Sequence, residues 1–185
     1  MLDLQQVDNS WTLFLDRDGV LNHDKVGSYI FNSIEFKFYD GVTEALKKCT
    51  ALFAQIIVVT NQRGVGRGLM SELDLMDIHN KMLREVEAAG GRIDAIYYAT
   101  SLDDAHPLRK PHPGMALQAK EDFPAIDFSK SIMVGNNLSD MEFGRNCGMH
   151  TVFMLTTQPD LALPHPAIDL AFNSLLKFAT ALPGK

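Results

Sequence analysis

Six short apolar runs punctuate the chain: WTLFL (11–15), QIIVV (55–59), AIYYA (95–99), SIMV (131–134), TVFML (151–155) and DLAF (169–172). Several lack the in–out alternation of a half-wet sheet, which suits strands buried on both faces. Between them lie stretches with helical spacing. In 40–53, Val42, Ala45, Leu46 and Cys49 share one face. The stretch 71–89 opens on Ser71, a good N-cap with Asp74 three residues on, and stops at Gly90-Gly91. Pro113 suits the first turn of a helix over 113–123, and 137–148 closes on Gly148. Strands alternating with helices predict an α/β fold, a three-layer Rossmann-like sandwich with a central parallel sheet and right-handed crossovers. At 185 residues, with no repeat, low-complexity tract or linker, the chain reads as a single domain over 1–185. One segment, 22–40, has neither period but carries Gly27, Ser28, Tyr29 and several aromatics. It is long for a strand-to-helix connection, so it is either a functional loop or an aromatic cover for an edge.

Charge and cysteine content narrow the function classes. The formal net charge is -6 with no block of like charges, which argues against nucleic acid or an anionic membrane as partner, though a local basic pocket remains compatible. Cys49 and Cys147 are far apart and belong to no Cys/His cluster, so they read as small buried thiols in a reducing compartment. The first ten residues carry acid and no basic start, and no apolar run approaches membrane-spanning length. The expectation is a cytoplasmic enzyme or binding protein with a small-molecule partner, its oligomeric state open.

The apolar runs share a further feature, since four of them lead straight into polar groups. Asp16 and Asp18 follow the first, Thr60 and Asn61 the second, Thr100 and Ser101 the third, Gly135 and Asn136 the fourth. In an open parallel sheet the C-terminal strand ends form the ligand crevice, so residues distant in sequence can meet there. Alone, Asp16-x-Asp18-Gly19 is equally a surface turn, and Lys110 alone is a solvated lysine. Together they suit phosphoryl chemistry. One carboxylate can attack phosphorus and form an aspartyl-phosphate, and the other can carry a proton to the leaving group and later take one from water. Mg²⁺, which prefers oxygen ligands, would offset the repulsion between the two. Thr60 and Asn61 could hold phosphoryl oxygens, with Arg109 and Lys110 supplying fixed positive charge. The glycine-rich RGVGRG (63–68) lacks the Gly-Lys-Ser/Thr ending of a P-loop and reads as a tight turn, with Arg67 as a loop anchor. Of the histidines, His23 is a candidate substrate contact; His79 and His165 read as structural or solvent-facing.

Four ordered segments, DRDGVLN (16–22), VVTNQ (58–62), RKPHPG (109–114) and VGNNLSD (134–140), resemble the haloacid dehalogenase (HAD) superfamily of phosphohydrolases. Within it the likeness is to the small-capped group that includes heptose-bisphosphate and histidinol-phosphate phosphatases. The resemblance implies Asp16 as nucleophile, Asp18 as general acid/base, Thr60 and Lys110 as phosphate clamps, and Asn61 and Arg109 reaching toward substrate. It further implies Mg²⁺ held by the Asp16 side chain, the Asp18 carbonyl and the fourth motif, through Asn136 and Asp140. The segment 22–40 matches the group's specificity loop, a minimal cap. The implied substrate is a small phosphorylated sugar or metabolite, with heptose bisphosphate ahead of histidinol phosphate and of a nucleic-acid 3′-phosphate, which needs a basic track this acidic chain lacks; a noncatalytic phospho-ligand binder is the rival from another class. Two departures stand out. The stretch before the third motif has His106 but no cysteine, so no structural zinc is expected. The fourth motif has Asn136 where relatives carry Asp, which predicts a weaker grip on Mg²⁺ unless Asp140 compensates.

Overall fold

The computed structural model describes residues 2–184. Its elements, in chain order, are β1 (Thr12–Leu15), α1 (Val42–Leu52), β2 (Gln55–Asn61), α2 (Arg63–Gly66), α3 (Glu72–Ala88), β3 (Ala95–Ala99), α4 (Gly114–Asp122), β4 (Ser131–Gly135), α5 (Leu138–Asn146), β5 (His150–Met154), β6 (Leu170–Phe172) and α6 (Leu175–Ala181). The six strands form one sheet in the order β3-β2-β1-β4-β5-β6, every neighbouring pair parallel. The expected α/β architecture is therefore the observed one.

Alternate residues of each central strand enter different cores, which explains the continuous apolar runs. Leu13, Leu15, Ile56, Val58, Ile132 and Val134 face one side, packed with Leu46 of α1, Ile78 of α3 and Phe178 of α6. Phe14, Ile57, Val59 and Met133 face the other, against Met115 and Ala116 of α4 and Phe143 of α5. The chain moves outward from β1 to β3, then returns to place β4 on the other side of β1. That reversal makes the β1/β4 boundary a topological switch point, where a crevice opens beyond the C-terminal strand ends.

Local signals behave as read at several helix ends. Ser71 caps α3: its Oγ accepts from Asp74 N–H at 3.1 Å, and the Asp74 carboxylate accepts from Ser71 N–H at 2.8 Å. Three features differ from the sequence expectation. β2 runs two residues further, to Asn61, because β3 continues to pair with it as far as Ala99. The 63–68 turn winds into the short helix α2, and α6 was not anticipated. α6 forms because Leu175, Phe178 and Ala179 sit at helical spacing over the first core.

The segment 22–40 contains no helix or strand. Its neck is closed by His23 N–H to Lys37 O (3.0 Å) and Tyr39 N–H to Leu21 O (3.0 Å). Ile30 and Phe36 anchor it in the core, and the Lys81 ammonium donates to the Ser33 and Phe36 carbonyls at 2.9 and 3.0 Å. Among the described residues no helix is long and apolar enough to cross a membrane.

Candidate active site

β1 ends at Leu15, so Asp16 emerges at the switch point, its N–H still bonded to Val134 O of β4 at 2.9 Å. Lys110 reaches it from the loop before α4. This ammonium is only 3% exposed and meets Asp16 Oδ1 at 2.8 Å, Asp140 Oδ1 at 2.7 Å and the Val59 carbonyl at 2.8 Å. A buried charge is costly unless paired, and these three acceptors use all three of its donors. Burial acts to lower the Lys110 pKa, but Asp140 and Asp16 outweigh it and hold it above its ordinary value. Burial likewise pushes the Asp16 carboxyl well above the usual carboxylate range, against the pull of Lys110 and with the help of Asp140. With both carboxyls ionised, two carboxylates sharing one ammonium give this cluster one negative charge in excess.

Asp18 sits in a different environment. Its carboxylate accepts from Arg17 Nη2 (2.9 and 3.0 Å), Asn22 Nδ2 (2.9 Å) and Gln62 Nε2 (2.9 Å). Burial acts to raise its pKa, but the Arg17 guanidinium and these hydrogen bonds outweigh it and hold the carboxyl below its usual value. Arg17, fully buried, also contacts Gln62 Oε1 at 3.3 Å and His79 Nε2 at 3.2 Å. Desolvation, reinforced by the Arg17 charge, drops the His79 pKa to about 3. His79 is thus a neutral acceptor, its ring proton on Nδ1, and the structural reading of it holds. Gln62 Nε2 also donates to Thr60 Oγ1 at 2.8 Å, which leaves the Thr60 hydroxyl proton free to point elsewhere.

Arg17, Asn22, Gln62 and His79 form a supporting network that the motif reading missed. The available signal was Arg17 itself, a charge at the end of a buried strand, which needs partners.

Asp16, Asp18, Thr60, Asn61, Lys110, Asn136 and Asp140 line one cavity of about 220 Å³, roofed by Asp24, Lys25, Ser28, Tyr29 and Ile30 of the 22–40 loop. That loop thus borders the same cavity as Asp16 and Asp18. Arg67 lies over the Tyr29 ring at 5.7 Å, an anchor as expected. Other candidates find different work. The Asn61 amide is spent on the Lys110 backbone, accepting its N–H at 3.0 Å and donating to its carbonyl at 3.2 Å. It therefore positions the lysine loop while lining the cavity. Arg109 does not line the cavity; its Nε donates to Asp104 at 3.0 Å, a carboxylate it shares with Arg63. His23 packs against Tyr39, ring centroids 4.0 Å apart and tilted, outside this cavity.

The fourth motif carries the clearest local surprise. Gly19 adopts φ +85°, and a Cβ there would come within 2.1 Å of the Asn136 side-chain amide. This close approach packs Asn136 onto the first-motif turn. With each polar atom facing a complementary partner, the Asn136 Nδ2 donates to the Asp18 carbonyl (3.0 Å) and Asp16 Oδ2 (3.3 Å), and its oxygen accepts from Thr157 Oγ1 (2.9 Å). The amide thus contacts the two oxygens expected to hold Mg²⁺. Turned over, it would complete a set of one carboxylate, one carbonyl and one amide oxygen. Such hard donors fit Mg²⁺, which keeps waters and substrate oxygens in its remaining positions, and the excess negative charge of the cluster favours a cation. Asp140 does not fit the ligand role expected of it. Its Oδ1 is on Lys110, and its Oδ2 accepts from Asn136 N–H (3.1 Å) and Asn137 N–H (3.0 Å), capping α5.

Comparison with known proteins gives a consistent result. The family model described as polynucleotide kinase 3 phosphatase matches residues 12–179. A D-glycero-alpha-D-manno-heptose-1,7-bisphosphate 7-phosphatase of Mycobacterium bovis is 37% identical over 179 residues, covering 96% of this chain and 94% of its own. The D-glycero-beta-D-manno-heptose-1,7-bisphosphate 7-phosphatase of Salmonella typhi is 34% identical, covering 92% and 94%. The crystal structure of D,D-heptose 1,7-bisphosphate phosphatase from B. bronchiseptica, complexed with magnesium and phosphate, superimposes with a TM-score of 0.83 at 27% identity, covering 92% of this chain and 96% of that one.

Proposed function

Since the chain belongs to the heptose-1,7-bisphosphate 7-phosphatase family of the HAD superfamily, and is thus a phosphatase acting on a phosphorylated sugar, we propose that its substrate is D-glycero-D-manno-heptose 1,7-bisphosphate and that Asp16 is its nucleophile. The observation that carries the assignment is Asp16 paired with buried Lys110 at 2.8 Å on the floor of the cavity. Asp16 attacks the phosphorus, the bond to the leaving sugar oxygen breaks, and an aspartyl-phosphate forms. Asp18 acts in its protonated form, reached by taking up a proton against the pull of Arg17; it gives that proton to the leaving oxygen and then regains one from the water that hydrolyses the acyl phosphate. The same group serves both steps, so the cycle returns to its starting charge.

Lys110 and the Thr60 hydroxyl meet the phosphoryl oxygens, where charge develops in the transition state. The Asp16 carboxylate, the Asp18 carbonyl and the Asn136 amide oxygen would hold Mg²⁺, which when bound supplies further neutralisation of that charge. Asp140 and Asn61 keep Lys110 in place, one through its side chain and one through its backbone.

A polynucleotide 3′-phosphate is the second reading, favoured by the description of the matching family model. The net charge of -6 weighs against it, because binding a phosphate backbone draws on many cationic contacts. Phosphate release from both anomers of the heptose bisphosphate, from histidinol phosphate and from a 3′-phosphorylated oligonucleotide, each with Mg²⁺, separates the readings. The heptose bisphosphate is expected to give the highest kcat/KM; a higher value for either other substrate would displace it.

A further inference from the structure

A bisphosphate brings two anionic groups, and the cluster around Asp16 accounts for one. The second needs a cation that lines the cavity and still has donors to spare. Lys110 is committed to the first phosphate, held beside Asp16 by Asp140 and the Val59 carbonyl. Arg17 is buried behind Asp18. Arg63 and Arg109 share Asp104, and neither lines the cavity. Among the described residues that line it, Lys25 is the remaining cation.

Its position suits the task. Lys25 lies on the 22–40 loop and lines both the catalytic cavity and an adjoining hollow of about 470 Å³. The two share a wall at Asp24, Lys25, Asn136 and Asn137, and the far side of the hollow carries Thr156, Thr157 and Gln158. The closed neck of the loop fixes where Lys25 stands, while its tip residue Val26 is 97% exposed. Lys25 now pairs with Glu35 Oε2 at 2.7 Å, and its ammonium is 5.3 Å from the Phe31 ring. Glu35 is itself held by the Phe31 N–H at 2.9 Å, so in any exchange of partners the lysine is the mobile half. Both side chains are partly exposed, and such pairs exchange readily.

We propose that Lys25 is a specificity-determining residue. Its ammonium leaves Glu35 to bind the phosphate that is not hydrolysed, and so selects a sugar carrying a second phosphate over the corresponding monophosphate. The inference rests on the substrate reading given above and deepens it.

The test compares kcat/KM for heptose 1,7-bisphosphate and heptose 7-phosphate in the wild-type chain, Lys25→Met, Lys25→Arg, Glu35→Gln and Arg109→Met. Wild type should prefer the bisphosphate. Lys25→Met should lower that preference roughly tenfold or more, the range for one charge-assisted hydrogen bond, chiefly through KM. Lys25→Arg should restore most of it. Glu35→Gln, which frees the lysine, should lower KM for the bisphosphate, and added salt should shrink the preference in wild type more than in Lys25→Met. An unchanged preference in Lys25→Met, with wild type still hydrolysing the bisphosphate, would overturn the role of Lys25 and leave the substrate reading standing. Loss of preference in Arg109→Met alone would assign the second phosphate to the other side of the cavity. Wild type hydrolysing neither sugar would end both readings together.

Discussion

Asn136 carries the largest consequence at the level of single residues. Its amide hydrogens satisfy Asp16 Oδ2 and the Asp18 carbonyl in the protein without metal, and Asp140 is committed to Lys110 and the α5 cap. Replacing Asn136 by Asp should therefore act in opposite directions with and without metal. Without Mg²⁺ a third carboxylate would face Asp16 and the Asp18 carbonyl, and the melting temperature should fall. With Mg²⁺ the added charge should tighten binding on the order of tenfold, as ligand charge count does at oxygen sites. Thermal unfolding and titration calorimetry, each with and without Mg²⁺, check both halves. A variant unchanged in both would remove Asn136 from the metal site.

The pH profile follows from Asp16. Attack requires the ionised carboxylate, and burial holds its pKa above the usual range. Activity should therefore be lost as pH falls through a value above that of an ordinary aspartate. A bound cation favours the ionised form, so this acid limb should move to lower pH as Mg²⁺ rises. A profile of kcat/KM at several Mg²⁺ concentrations reads it directly.

The pairing of Asp16, Asp18, Thr60 and Lys110 was legible because each ends an apolar run or follows one in a loop. The work of Arg17 was not. It alternates with Asp16 at the strand end and so turns toward α3, a direction that only the packing of α3 and its His79 reveals.

Elements set how firmly these residues are held. The turn between β1 and the 22–40 loop depends on Gly19, whose φ of +85° an L side chain adopts at a cost of about 1–2 kcal/mol. A Cβ there also meets the Asn136 amide. Gly19→Ala should lower stability by at least that amount and weaken Mg²⁺ binding as well, whereas a purely local cost would leave metal affinity intact. Ser71 makes the contrast. Its cap on α3 is remote from the cavity, so Ser71→Ala should cost about 1 kcal/mol in denaturant unfolding and leave kcat/KM unaltered.

Helices with a cap and an apolar stripe, such as α3, could be read to within a residue or two. α2 and α6 could not, since seven residues or fewer carry too little periodicity to announce a helix. The 22–40 loop was visible as an absence of pattern. What it covers became clear only once its neck and its anchors at Ile30 and Phe36 were in place.

At the scale of the whole molecule, parallel pairing and the return of β4 beside β1 turn scattered motifs into one site. The alternation of strands and helices implied that sheet, but the strand order was not readable from it. Sequence spacing does not say on which side of β1 the fourth strand lands. That order brings Asp16 and Asn136 together across the switch point, so the departure from the family pattern lies directly against the first-motif carboxylate.

Every other role assigned in the cavity depends on Asp16 performing the attack. Initial rates of phosphate release from heptose 1,7-bisphosphate with Mg²⁺, measured side by side for the wild type and Asp16→Asn, test it most directly. The substitution keeps the size of the side chain and removes the nucleophilic charge. The predicted result is a folded variant whose kcat falls by at least about a thousandfold, the scale expected when an attacking group is lost. Equal rates in the two proteins would contradict the account and leave a phosphate-binding relative without the chemistry assigned to it.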